Sequence, residues 1–366
     1  MSARTICILL TDSLAVLKNK GEVKRAYYNP DDFFQKVCFL QYSHDAVPAD
    51  AASLFCGAAQ YRVVELGPVN FFNAIFQLIR TYAAVRAVRP SLLRAYDPSV
   101  RGVFCVLCSR LLRIPSVISL HSHLDEQRKF DRRISLRVRM IFEAVSIRFA
   151  DMVICVSAYV REYAVKYGAR RTEIVYNGVD LAAFGTGARR DLFGRTTVLC
   201  VARMEHPKYQ ECLIRAMKGV DADLVLIGSG ARTSLFVRFI AELRLEHKVK
   251  IIPAVPHSGL ADYYASSKIF AIPTHFEGFC IPLIEAMSLG IPVVASDIPP
   301  VREVLHGCGV LSRNTPEDFS RNINMLLSDQ SLYARMSGSG MERARDFDMS
   351  RMHKEQAKIY EKLLAQ

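Results

Sequence analysis

Short apolar runs alternate with helix-length amphipathic stretches along the whole chain, the pattern of a doubly wound α/β protein with parallel sheets. In the first half, Thr5–Leu10, Lys36–Leu40, Arg62–Glu65, Leu92–Ala95, Ser116–Leu120 and Met152–Val156 predict strands. Asn70–Val88 and Arg133–Phe149 predict helices between them. In the second half, strands are expected at Thr197–Val201, Leu224–Ile227, Val249–Ile252, Ile269–Ile272 and Val293–Ala295. Helices are expected near Gln210–Lys218, Ser234–Leu245 and Ser258–Ala265.

The halves share this rhythm without an internal repeat, and the glycine-bearing stretch Gly185–Ala188 between them reads as a linker. We therefore expect two Rossmann-like domains facing each other across a cleft, over residues 1–182 and 189–345, with a terminal helix (348–366) packing back on the first. In such sheets ligands bind beyond the carboxyl ends of the strands, so the residues just after strands carry most weight.

A length of 366 residues suits two domains, and 51% hydrophobic against 23% charged residues excludes a disordered or fibrous chain. No apolar run reaches the roughly 18 residues of a membrane-spanning helix. Ile6–Leu10 is too short, and too soon followed by Asp12, to be the apolar centre of a signal peptide. A cytoplasmic protein is expected, with peripheral attachment to the inner membrane face as an option. The ten cysteines are scattered through apolar runs, as buried thiols are in a reducing compartment. Cys105 and Cys108 form a C-x-x-C within an apolar helical stretch and read as packing rather than as a metal or redox pair.

The net charge of +12 is uneven: residues 1–180 carry 25 basic and 16 acidic side chains, residues 181–366 carry 23 and 20. A basic first half favours an anionic partner. The run Arg128, Lys129, Arg132, Arg133, Arg137 and Arg139 is interleaved with apolar residues. It reads as a solvated helix face or as a dock for anionic lipid or a phosphorylated acceptor. No recognition motif or aromatic stacking set points to nucleic acid.

The most informative stretch is Pro273–Gly290, directly after the strand Ile269–Ile272. Pro282 suits the first turn of a helix and Gly290 its left-handed end, so a short helix is expected over Ile281–Leu289. Its N-terminus opens at Gly278, Phe279, Cys280 and Ile281, where backbone amides and the helix dipole suit a phosphate. Glu277 precedes this anion site and Glu285 lies within the helix; an ionised carboxylate accepts the paired hydroxyls of a sugar or ribose.

The Glu277-x7-Glu285 spacing, with Gly278-Phe279 after the first acid and Ala286-Met287 after the second, resembles the retaining nucleotide-sugar glycosyltransferases of the GT-B fold, family four, also called group 1. Three further segments resemble that family in its order: Tyr176–Asp180, Arg203-x4-Lys208 after the strand Thr197–Val201, and Leu226–Gly230 with Gly228 and Gly230. The resemblance implies that Arg203 and Lys208 hold the donor diphosphate, stabilising the leaving group without a metal. It also implies that Glu285 meets the ribose and Glu277 the sugar. His121, of His121-Ser122-His123, falls at the family's histidine near the transferred sugar.

Asp221-Ala222-Asp223 is the alternative for metal chemistry, but it precedes a strand and reads as a turn. Departures from the family are a first-strand loop, Thr11–Gly21, whose only glycine is Gly21, Cys280 where glycine is common, and Pro299-Pro300 in place of small residues.

The expected activity is transfer of a sugar from a nucleotide diphosphate to an acceptor hydroxyl with retention, in glycan or glycolipid assembly. The donor is a substrate, and no cofactor is expected. A nucleotide-sugar-binding scaffold with little activity is the alternative. A dehydrogenase ranks behind both, since no G-x-G-x-x-G follows the first strand.

Overall fold

A computed structural model describes residues 4–19, 24–130, 133–185 and 192–366. Thr186–Ala188 of the expected linker, Gly21 and Arg132 lie outside the described residues. The chain divides into two compact units. One comprises Met1–Leu124, Asp131–Tyr176 and Ser350–Gln366, the other Asp125–Phe130 and Asn177–Met349.

The first unit is built on seven parallel strands: β1 (Thr5–Leu9), β2 (Lys36–Gln41), β3 (Gln60–Glu65), β4 (Leu92–Ala95), β5 (Ser116–Leu120), β6 (Met152–Cys155) and β7 (Thr172–Ile174). Their order is β3-β2-β1-β4-β5-β6-β7. The second unit has six: β8 (Thr197–Val201), β9 (Asp223–Ile227), β10 (Val249–Ile252), β11 (Ile269–Ile272), β12 (Val293–Ser296) and β13 (Val310–Ser312), in the order β10-β9-β8-β11-β12-β13. Both are Rossmann-like sheets. A parallel sheet is covered on both faces by its crossover helices, so its central strands are apolar on consecutive residues. Ile6 to Leu9 and Ile269 to Ile272 are accordingly all fully buried.

Five helices bear on the site and on the molecular surface: α1 (Ala74–Val88), α2 (Val100–Leu112), α3 (Ile134–Phe149), α4 (Ile281–Ser288) and α5 (Met349–Leu364). Helix α1 starts four residues later than its apolar pattern suggests, because the side chains of Asn70 and Asn73 bond neighbouring backbone and hold a turn there instead. Cys105 and Cys108 are buried in α2, and burial raises both thiols above the ordinary cysteine range, that of Cys108 to about 12. Asp221 and Asp223 each pair with Arg195, at 3.5 and 3.2 Å, at the entry to β9.

Helix α5 completes the first unit through an unusual buried charge. Arg94 on β4 is 2% exposed. Its guanidinium donates to Ser119 Oγ (3.1 and 2.9 Å), to Gln356 Oε1 (2.6 Å) and to the Tyr360 hydroxyl, and lies 4.2 Å from the ring centroid of Tyr96. Neutral acceptors and an aromatic face thus replace the water a guanidinium normally keeps. Replacing Arg94 by alanine strands these buried acceptors and opens a cavity, so unfolding stability measured by urea titration is expected to fall by about 3 kcal/mol. Arg94→Met, which refills the volume, is expected to lose less.

Candidate functional site

In the second sheet the chain runs β8, β9, β10 towards one edge and then β11, β12, β13 towards the other. The order reverses between neighbours β8 and β11, and the loops leaving their carboxyl ends part there, which is where an open α/β sheet receives a ligand. The loop after β8 carries Arg203 and Lys208; the loop after β11 carries Glu277 and leads into α4.

Backbone bonds tie these two loops together. Tyr209 N–H donates to Pro273 O (3.1 Å), His275 N–H donates to Pro207 O (3.1 Å), and Lys208 and Thr274 form an isolated antiparallel bridge. The β11 loop is also held from behind: Thr274 N–H donates to Ser296 Oγ (2.7 Å), and Asn314 Nδ2 donates to Thr274 O (2.9 Å). The ammonium of Lys208 consequently meets Glu277 Oε1, with both side chains largely buried. Burial alone would depress the lysine, but the Glu277 carboxylate holds it above its ordinary range. Lys208 therefore carries its charge throughout neutral pH.

Helix α4 begins beside this pair. Its N-cap residue, Cys280, makes no side-chain capping bond, and Pro282 occupies the first turn. Its far end closes through Gly290 at φ +69°, with Ile291 N–H donating to Ala286 O (3.0 Å). Gly278, Phe279 and Ile281 are half-buried and Cys280 is buried; the ring of Phe279 packs edge-on against Phe347. Glu285 is buried inside the helix, where Oε2 accepts from the Tyr264 hydroxyl (2.8 Å) and Oε1 faces His257 Nε2 (3.1 Å). His257 itself is half exposed.

Arg203 stands apart from this cluster. Its side chain is 79% exposed and pairs with Glu205 at 3.2 Å. Gly228 and Gly230 bring the turn after β9 against the same loop. A Cβ at Gly228, whose φ is +139°, would lie 2.2 Å from Ala202 O, and one at Gly230 would lie 2.5 Å from Met204 O. These glycines are required for close approach.

The sequence pattern did not single out the rings around the pair. His206 and His275 stack with centroids 5.5 Å apart, with Tyr209 4.7 Å from His275 and Phe130 within 5.2 Å of both histidines. Burial, then the neighbouring His206 and Arg232, lower the pKa of His275. Tyr264 and His257, the partners of Glu285, were missed as well. Their one sequence signal is position: His206 and His275 come after β8 and β11, as Lys208 and Glu277 do.

His121 belongs to the first unit, directly after β5. Its ring stacks on Tyr96 (centroids 6.1 Å apart), and burial followed by the Arg94 charge pushes its pKa down to about 4. The imidazole is neutral at physiological pH, an acceptor and donor of hydrogen bonds rather than a cation. His123 is buried against the rings of Tyr159 and Tyr163.

Comparison with known proteins bears on the family and the fold. The family model described as glycosyl transferases group 1 matches residues 192–343, and that of glycosyltransferase family 4 matches residues 41–183. An uncharacterized glycosyltransferase of Methanocaldococcus jannaschii is 24% identical over 299 residues, covering 80% of this chain and 82% of the relative. A D-inositol 3-phosphate glycosyltransferase of Nocardiopsis dassonvillei is 27% identical over 241 residues, covering 58% of this chain. The match spans little more than half, 56%, of that relative's own length. Among solved structures, Anabaena HepE in complex with UDP and glucose shares the two-sheet fold with a TM-score of 0.79 and 21% identity, over 98% of this chain and 100% of that one. The chain thus has the GT-B fold.

Two outcomes test this geometry. Because folding holds His121 neutral, the unfolded chain takes up a proton that the native state refuses as pH falls. The His121 contribution to stability is therefore complete above the ordinary value of 6.5 and is lost as pH drops towards 4. NMR titration of its ring should show no protonation at pH 5.5, and the pH slope of the urea midpoint should flatten in His121→Gln. Gly228→Ala should cost about 2–3 kcal/mol, measured the same way, since neither φ nor space permits a Cβ.

Proposed function

Because the chain belongs to the group 1 glycosyltransferases, we propose that it moves a sugar from a nucleotide diphosphate to an acceptor hydroxyl with retention of anomeric configuration. The observation that carries this reading is the buried Lys208–Glu277 pair at the strand-order reversal, beside the N-terminus of α4. An ammonium and a carboxylate sharing one buried spot are the two groups needed by an anionic leaving group and a hydroxyl-rich sugar. Diphosphate entering beside Lys208 takes over the ammonium and frees Glu277 to accept from sugar hydroxyls. Each such charge-assisted bond is worth about 1.5–3 kcal/mol.

In this reading the amides of Gly278, Phe279, Cys280 and Ile281 and the dipole of α4 hold diphosphate oxygens. Arg203 leaves Glu205 and folds from solvent onto the same charge. Glu285 exchanges its contact with His257 for a ribose hydroxyl, while Tyr264 keeps the other carboxylate oxygen in place. Gly228 and Gly230 give the nucleoside a backbone wall without side chains. His121, neutral and braced by Tyr96, bonds a hydroxyl of the transferred sugar.

In the transfer itself, the bond from the anomeric carbon to the leaving phosphate oxygen breaks as the acceptor oxygen bonds that carbon from the same face. The acceptor proton passes to the departing phosphate oxygen. Lys208, Arg203 and the α4 amides carry the charge that accumulates there, so the step needs no metal. The acceptor is a glycan or a lipid-linked saccharide, in a cytoplasmic assembly step. UDP-glucose is the first donor to test, because the Anabaena neighbour is bound to UDP and glucose.

The deciding experiment is a panel of nucleotide sugars, with and without acceptor extract, read by released nucleoside diphosphate and by thermal shift. Lys208→Ala should weaken nucleoside diphosphate binding and lower turnover by about 10²–10³. Glu277→Gln should leave nucleoside diphosphate binding near wild type and lower turnover by a similar factor. An unchanged Lys208→Ala enzyme overturns the diphosphate assignment. Tight donor binding with no turnover under any condition favours the scaffold alternative, in line with the glycine-poor segment after β1, of which Leu14–Asn19 is helical rather than the expected loop.

A further inference from the structure

Helix α1 is inside out. The residues it turns towards the first unit are Gln77, Thr81 and Val85, spaced i, i+4, i+8. The polar pair is hydrogen-bonded there: Gln77 Nε2 donates to Gly67 O (3.3 Å) and Pro68 O (3.2 Å), and Thr81 Oγ1 donates to Gln77 O (2.7 Å) and meets the Tyr42 hydroxyl (3.0 Å). The opposite face presents Ile75 (78% exposed), Phe76 and Ile79 to solvent. An ordinary surface helix does the reverse.

The turn before α1 extends the exposed surface. Phe71 and Phe72 are 89% and 95% exposed, with their rings edge to face. Hydrogen bonds fix this turn. Phe72 N–H and Asn73 N–H both donate to Asn70 Oδ1 (3.0 Å), Asn70 N–H donates to Asn73 Oδ1 (2.8 Å), and Asn73 Nδ2 donates to Pro68 O (2.9 Å). Two reciprocal asparagines thus hold a pair of phenyl rings out into water.

Neighbouring helices continue the apolar surface. Helix α2 packs against both α1 and α3. It exposes Leu107 and Leu111, and α3 exposes Ile134, Val138 and Ile141 at i, i+4, i+7. These three helices carry seven arginines, two in α1, two in α2 and three in α3. Their one carboxylate, Glu143, is fully buried. An apolar surface of this extent marks an interaction site.

We propose that the outer face of α1, with the Phe71–Phe72 turn as its leading edge and α2 and α3 beside it, docks on an anionic lipid bilayer. The charge around the patch selects this occupant. Phenyl and aliphatic groups enter the boundary between headgroups and acyl chains, and surrounding guanidiniums bind lipid phosphate. A second copy of the chain fits poorly, since a two-fold contact through this face sets arginines against arginines. Arg137 and Arg139 of α3, both exposed, supply part of the charge, while α1 and its turn supply the apolar anchor. None of these residues belongs to the candidate donor site, so docking succeeds or fails independently of the transfer chemistry.

The sequence contains no tryptophan, which makes a direct probe simple. In Phe72→Trp, the single indole should shift its emission to the blue on vesicles of phosphatidylcholine with about one third phosphatidylglycerol, and brominated acyl chains should quench it. Neutral phosphatidylcholine vesicles should give a much smaller change. The triple variant Phe72→Ser, Ile75→Ser, Ile79→Ser should bind anionic vesicles at least about tenfold more weakly in co-sedimentation, with an unchanged melting temperature. Arg86 in the last turn of α1 and Arg89 just after it are both exposed, and Arg86→Glu with Arg89→Glu should abolish the preference for anionic lipid. An indole that stays solvent-exposed and unquenched, or a triple variant that binds like wild type, overturns the proposal. Sedimentation showing a dimer that the triple substitution dissociates overturns it in favour of a second copy.

Discussion

Two neighbouring parallel strands whose successors leave in opposite directions cannot both be followed by the same layer of structure. Between β8 and β11 that constraint parts two loops at their carboxyl ends, and everything chemical in the second unit is organised around the parting. The loops are held near each other by backbone bonds at Pro207–Tyr209 and Pro273–His275, with the rings of His206, Tyr209 and His275 packed beside them. That leaves the side chains of Lys208 and Glu277 to face one another at low exposure, where the carboxylate holds the ammonium's charge. The helix that starts immediately afterwards adds its amide end to the same spot.

The two units treat a buried basic side chain in opposite ways. Burial works against charge at both Lys208 and His121. At Lys208 a carboxylate reverses the outcome, and the ammonium persists. At His121 the nearby charge is Arg94, of the same sign as an imidazolium, so burial and neighbour act together and the ring stays neutral. One position is fixed as a cation and the other as a neutral hydrogen-bonding ring, each by the identity of its nearest ionised neighbour.

Much of this was legible in the sequence, because the strands that position the site are apolar on consecutive residues and the glycines and prolines of Pro273–Gly290 have few other uses. Helix α4 and the left-handed Gly290 fall where Pro282 and Gly290 place them. The strands β7 and β13 were not legible: each has three residues at a sheet edge, too short to show a period. The start of α1 was misplaced because apolar periodicity cannot register two asparagines that bond the backbone of their own turn. The same periodicity cannot reveal that α1 buries its glutamine and threonine, since it reports a moment but not its direction. The aromatic and histidine surroundings of Lys208, and the Tyr264 and His257 partners of Glu285, come from separate loops and helices, and only the tertiary fold assembles them.

Arg94 draws its partners from residues more than 250 positions later, Gln356 and Tyr360 on α5. The strands of the first sheet are therefore made well before two of the groups that satisfy its central guanidinium. Until α5 is made, Arg94 has only Ser119, the Tyr96 ring and water to solvate its charge. Consolidation of the first unit thus waits for α5, which is synthesised after the whole second sheet.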